Sequence, residues 1–183
     1  LAKVGWNLPA NQRLQLSYLQ TQTASPIAGT LTNLGTRPPY ELGWKRTGYS
    51  DVMARNAAFD YSLAPEGVDW LDFQAKLYYV DTQDDSDTYS TSSLLDNGYA
   101  TRTRLRTYGA QAQNTSRFSL APGHDFRANY GLEFYYDKVT SDSSREGMEG
   151  VTPAGNRSVG SLFANLTYDY DGWLTLEGGL RYD

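Results

Sequence analysis

Cysteine is absent from the 183 residues, and histidine occurs once, at His124. The first absence excludes a disulfide scaffold, a cysteine-ligated zinc site and thiol catalysis. The second excludes a multi-histidine metal site built from these residues alone. No apolar run approaches the ~18 residues that a transmembrane helix needs. Basic residues are not in excess. The 16 Lys and Arg stand against 21 Asp and Glu, a net charge of −5, which is the wrong sign for a nucleic-acid partner. Helical periodicity is nearly missing as well. The chain opens Leu1-Ala2-Lys3 and ends Leu180-Arg181-Tyr182-Asp183 inside an alternating stretch. No initiator methionine or signal peptide is seen, and together these features predict a segment of a longer polypeptide.

What the chain has is alternation of period two from end to end. It predicts eight strands, at 2–7, 13–23, 52–64, 71–82, 107–121, 126–139, 160–171 and from Trp173 onward. Phe126, Ala128, Tyr130, Leu132, Phe134 and Tyr136 show the pattern most fully. The connections alternate in length. Pro9–Gln12, Pro65–Asp69, Pro122–Asp125 and Asp171-Gly172 read as tight turns. The stretches 24–51, 83–106 and 143–158 are long and polar. Short turns alternating with long loops are the pattern of an outer-membrane β-barrel, in which apolar residues hide in alternation with polar ones. A β-sandwich would also alternate, with less reason to sort its loops.

Charge placement supports this register. Asp72, Lys76, Arg117, Arg127, Glu133, Asp137, Asp169, Glu177 and Arg181 all fall out of phase with the apolar set. An Arg or Lys on the lipid face costs roughly 2–4 kcal/mol at the bilayer midplane. Asn114, Ser116 and Arg55 are the exceptions, Arg55 near a strand end where its head could reach water. Tyr18, Tyr61, Tyr79, Tyr136, Tyr168, Tyr170, Trp173 and Tyr182 cluster near strand ends, as an aromatic girdle would. Strands also favour aromatic residues for packing alone.

Several stretches carry a further resemblance. They are Arg13-Leu14-Gln15-Leu16-Ser17-Tyr18, Leu77-Tyr78-Tyr79-Val80-Asp81-Thr82, Gln113–Phe118 followed by Tyr130-Gly131-Leu132-Glu133, and the closing Trp173–Asp183 with its Gly-Leu-Arg-Tyr-Asp end. Through them the chain resembles the middle of a TonB-dependent outer-membrane receptor. Within that family it is most similar to the haem, haemoglobin and haemophore branch, including Has-type haemophore receptors. The resemblance implies an all-β antiparallel transmembrane barrel of about 22 strands, with residues 1–183 forming part of the one barrel domain. The plug and the remaining strands would lie outside this chain. It also implies uptake energised by the TonB complex, in the outer membrane of a Gram-negative bacterium. Haem would be the transported ligand rather than a resident cofactor, and an extracellular haem carrier protein would be the partner. The FRAP-like and NPNL-like motifs that flank a haem-ligating histidine in that branch do not occur in this sequence, so they would lie beyond Asp183. A ferric-siderophore receptor of the same fold and a complete eight-stranded barrel are the alternatives.

Candidate sites follow from residue types. His124 sits in a turn on the periplasmic side, where it reads as a solvated turn residue rather than a haem ligand. Met53 and Met148 offer soft donors but read as a strand residue and a loop-tip residue. Catalysis is not expected, because no serine elbow or nucleophile–base set accompanies His124. Asp84, Asp85 and Asp87 lie in a polar stretch with nothing apolar to raise a pKa. The long loop 24–51 carries Arg37, Tyr40, Trp44, Arg46 and Tyr49. Arg and aromatic residues are the usual anchors of protein interfaces, so this loop is the expected ligand- or partner-binding surface. Packing of the loop over the barrel mouth is the competing use. Arg102, Arg104 and Arg106 stand at spacing two and point one way from an extended chain. That direction is outward above the membrane, toward lipopolysaccharide phosphates. A bulge at Gly109 would instead turn the row inward.

Overall fold

A computed structural model describes residues 1–27, 32–33, 43–44, 46–90, 99–144 and 153–183. Ten strands occur among them. They are β1 (Ala2–Leu8), β2 (Gln12–Ile27), β3 (Thr32–Asn33), β4 (Gly43–Trp44), β5 (Arg46–Leu63), β6 (Phe73–Ser90), β7 (Tyr99–Ala121), β8 (His124–Ser143), β9 (Gly155–Tyr170) and β10 (Leu174–Tyr182). No described residue is helical. Eight strands form one antiparallel sheet in the order β1-β2-β5-β6-β7-β8-β9-β10, and β3 and β4 make a separate two-residue ladder. Among the described residues β1 pairs only with β2, and β10 only with β9. The eight strands therefore do not close on themselves as a complete small barrel would.

Register turns the period-two pattern into two faces. Val4, Leu16, Phe59, Leu77, Ala110 and Phe134 are successive cross-strand partners along one row. One residue away, Gln15, Asp60, Lys76, Gln111, Glu133 and Ser161 form a row on the opposite face. No hydrophobic side chain is buried among the described residues; Leu77 is 56% exposed and Phe134 49%. Water would penalise so broad an apolar face, and among the described residues no second sheet covers it as in a sandwich. Lipid satisfies it.

The tight turns are where they were expected. Ala10 and Asn11 take φ of 59° and 52°, and Asp171 and Gly172 take 47° and 71°. Positive φ at both central residues gives the turn a twist that matches the flanking strands. The long-loop ends differ from expectation. The polar stretch 83–106 was expected as loop, yet β6 runs to Ser90 and β7 begins at Tyr99. Polar pairs on both faces hold these extensions, so hydrophobic alternation gives no sign of them. Arg102 donates to Asp85 at 2.5 Å, and Ser50 donates to Asp84 at 2.9 Å. Gly109 carries no bulge; the one register shift between β7 and β8 lies between Ser119 and Ala121.

The polar exceptions in the apolar phase have partners. Asn114, only 9% exposed, donates to the Trp70 carbonyl at 3.0 Å and to the Tyr130 hydroxyl at 2.9 Å. Its own carbonyl accepts the Asp72 amide at 3.1 Å. Ser116 donates to the same Trp70 carbonyl at 2.8 Å. The two residues tie the connection between β5 and β6 onto the apolar face, where an unpaired turn carbonyl would be costly.

Candidate functional site

The apolar face changes character toward its long-loop end. Ala57, Tyr79, Tyr108, Tyr136 and Ser158 are cross-strand partners in one row, and the Tyr79 and Tyr108 ring centroids are 5.0 Å apart. The next row outward on the same face is Arg55, Asp81, Arg106, Lys138 and Asn156. Beyond it come Met53, Gln83, Arg104 and Thr140, and then Asp51, Asp85, Arg102 and Asp142. The polypeptide thus passes within a few residues from an aromatic belt to a charged band.

All three arginines of the spacing-two row lie on this outer face, but their surroundings differ. Arg104 reaches back to Asp81 with Nε at 2.7 Å and Nη2 at 2.6 Å, while Arg55 stands 3.8 Å from the same carboxylate. Asp81 is only 4% exposed. Arg102 is held by Asp85, which also accepts from Gln83 at 2.7 Å. Hydrogen bonds from Arg104 hold the Asp81 carboxyl below the usual carboxylate range, and those from Arg102 do the same for Asp85. Arg106 and Lys138 are direct partners across β7 and β8. Among the described residues neither has a carboxylate within ion-pair distance.

The expected partner-binding loop is described in part. Arg37 and Tyr40 lie outside the described residues. Trp44 pairs with Thr32 in the short ladder, and Arg46 opens β5 opposite Ser90. Tyr49 is exposed, between Pro26 and Asp87 and one row beyond Arg102. The hairpin from β2 to β5 therefore emerges beside the charged band at the long-loop end.

The opposite face is predominantly polar, with Val80, Leu105 and Val139 among its apolar members. Asp60 accepts from Gln15 at 3.4 Å and lies 3.9 Å from Lys76. These residues border an open hollow of about 320 Å³ with Arg13, Gln111 and Gln113. Further out, Asp137 accepts from Thr107 and from Arg157, both at 2.7 Å, and Arg157 lies over the Tyr135 ring. Tyr78 covers Gly109 on this face, and Phe163 covers Gly131. A barrel interior presents such a wall: polar, ion-paired and lined by a few aromatic rings.

Two expectations need correction. His124 is not a solvated turn residue. It opens β8 on the apolar face, with Nδ1 2.7 Å from the Tyr168 hydroxyl and its ring 4.7 Å from that of Tyr170. It belongs to an aromatic cluster with Phe126 and Trp173 at the short-turn end. Turn context in the sequence hid this, because the partner ring comes from β9. Secondly, Asp84, Asp85 and Asp87 lie on β6 rather than in a loop, and neighbouring ones point to opposite faces. Met53 lies on β5, a strand residue as expected, and its sulfur accepts from Arg55 at 2.9 Å on the outer face; Met148 lies outside the described residues. Among the described residues no group of three or more His, Asp or Glu is placed to hold a metal. Asp125 lies on the face opposite His124 and accepts from Ser119, so no His–Asp couple forms.

Known proteins resemble this arrangement. A solved complex of a double mutant of the Serratia marcescens hemophore receptor HasR, with its hemophore HasA and heme, is 81% identical. The match covers 98% of this chain and 23% of that one, with a TM-score of 0.80. The hemophilin receptor of Acinetobacter baumannii is 25% identical over 94% of this chain and 17% of its own length. The RagAB peptide transporter shares the fold alone, at 14% identity and a TM-score of 0.55. The chain thus spans less than a quarter of the length of the receptors it matches. Residues 4–183 match the family described as TonB dependent receptor-like, beta-barrel. With two faces sorted as a barrel wall requires, the chain belongs to the β-barrel domain of the TonB-dependent receptors.

Proposed function

We propose that this chain is part of the wall of an outer-membrane receptor, in a Gram-negative bacterium, that takes up haem handed over by an extracellular carrier protein. The observation that carries this reading is the 81% identity, maintained over 98% of the chain, to a hemophore receptor solved with its hemophore and heme. The second match, a hemophilin receptor, points to the same cargo class. Haem is cargo here, and the residues of this chain line and support its route. The TonB complex would act through parts of the receptor outside this chain.

The carrier contacts the long-loop end through Arg37, Tyr40, Trp44, Arg46 and Tyr49. Tyr49 supports this: it stands exposed at the root of the hairpin, where a rigid sheet holds it. Rigid aromatic anchors on a fixed scaffold suit a protein partner.

Growth tests this reading. The full-length receptor, as the sole iron-acquisition receptor in an outer membrane, should support growth on haem and on carrier-bound haem. Growth on a ferric siderophore but not on haem would overturn the cargo. Trp44→Ala with Tyr49→Ala should weaken carrier binding at least tenfold, about 1.4 kcal/mol, with the amount of receptor at the cell surface unchanged. Unchanged binding would move the carrier surface elsewhere.

A further inference from the structure

We propose that the outer face of this wall binds the phosphorylated headgroups of outer-leaflet lipid through Arg106 and Lys138, flanked by Arg55 and Arg104. The inference rests on the outer-membrane placement proposed above and adds a site to it.

Height comes first. On β8 the apolar phase runs unbroken from Phe126 to Tyr136. Ten residue steps at ~3.4 Å are about 34 Å of strand. Tilted by about 40°, they span about 25 Å of membrane thickness, the height of the apolar band of such barrels. Tyr136, with its partner Tyr108, therefore marks the upper interface. Lys138 and Arg106 stand two residues farther out on the same face. Those two residues raise them about 5 Å, to the level of the headgroups.

Charge comes second. Arg55, Arg104, Arg106 and Lys138 converge on this level, and Asp81 is the carboxylate among them. Asp81 is nearly buried and already holds Arg104 through both oxygens. Arg106 and Lys138 are left facing each other, and like charges directly opposite across a ladder repel. A shared anion removes that repulsion. Phosphate suits it, since a guanidinium offers a fork of donors and an ammonium a compact charge.

The row farther out shows why the site stops there. Arg102 is neutralised by Asp85, and Asp51 and Asp142 share its level. That row repels an anion. The outward arginine row thus divides by depth: Arg106 binds, Arg104 braces Asp81 beside it, and Arg102 belongs to the acidic rim.

The test is the phosphorylated lipid that stays with the full-length receptor. Wild type, Arg106→Gln/Lys138→Gln and Arg102→Gln are purified from outer membranes in mild detergent. Bound lipopolysaccharide is then quantified by mass spectrometry. The double variant should retain several-fold less, and Arg102→Gln as much as wild type. Wild-type receptor from cells whose lipid lacks those phosphates should also retain several-fold less, a comparison that needs no variant to fold. Equal retention in either comparison overturns the site. Recovery of wild type outside the outer-membrane fraction would instead overturn the membrane placement, a separate outcome.

Discussion

Arg104 on β7 reaches diagonally to Asp81 on β6, whose direct cross-strand partner is Arg106, and makes two parallel hydrogen bonds, Nε at 2.7 Å and Nη2 at 2.6 Å. The carboxylate is 5% exposed at its side chain and the arginine 29%. A pair this shielded is worth more than a surface ion pair, and removing one partner strands the other. Asp81→Asn should therefore destabilise the full-length receptor by about 1–3 kcal/mol, seen as a lower thermal midpoint. Arg104→Lys should not restore wild-type stability, because an ammonium cannot make the forked contact. A lysine variant that melts with wild type would show that charge alone matters.

The same pair sets a pH dependence. Arg104 lowers the Asp81 pKa below the ordinary 3.8. A carboxyl that is harder to protonate when folded stabilises the folded state above its unfolded value. That contribution is lost as pH falls through the lower folded value. The stability gap between wild type and Asp81→Asn should hold constant from about pH 7 to about pH 5 and shrink below about pH 4. Melting of both proteins across that range checks it. A gap that widens in acid would have the wrong sign for this pair.

Much of this architecture was legible in alternation, and the reasons for the rest are local. From β5 to β10 the apolar phase of each strand was readable because a barrel wall sorts apolar residues to one face and polar residues to the other. The extensions of β6 and β7 were not, because Gln83–Ser90 and Tyr99–Arg106 are polar on both faces and read as loop. The outward direction of Arg102, Arg104 and Arg106 followed from spacing two. Their partners required register, since Asp85 and Asp81 come from β6. Lys138 escaped notice for the same reason. Aligning Tyr108 with Tyr136 as one interface row would have placed it opposite Arg106.

Two glycines on the interior face should respond differently to an added methyl. At Gly109 a Cβ would meet the Tyr78 ring, 2.0 Å from Cζ. At Gly131 it would meet the Phe163 ring at 2.8 Å and also backbone, with the Ala112 carbonyl oxygen nearest at 2.4 Å and the Gln113 Cα at 2.9 Å. A ring can rotate away, whereas a paired strand cannot. Gly109→Ala should cost about 1–3 kcal/mol, and the cost should fall below about 1 kcal/mol in a Tyr78→Ala background. No neighbouring side-chain truncation should rescue Gly131→Ala in the same way. A double-mutant cycle on thermal stability decides this, and full additivity at Gly109 and Tyr78 would refute it.

Asn114 offers the sharpest separation between sequence pattern and structure. It stands in the apolar phase of β7, so a leucine there would make the alternation more regular and the lipid face more apolar. The structure predicts the opposite effect on stability. The side chain amide gives its hydrogens to the Trp70 carbonyl and the Tyr130 hydroxyl and takes one from the Asp72 amide. Leucine would leave the Asp72 amide without its side-chain acceptor beside the membrane interface, at about 1–3 kcal/mol. Ser116 would still hold the Trp70 carbonyl, so the connection should loosen rather than detach. Hydrogen exchange on the full-length receptor should accelerate across residues 65–72 in Asn114→Leu and stay at the wild-type rate in the turn at Gly123. Slower exchange at 65–72 would mean that lipid contact, and not the amide, holds that connection in place.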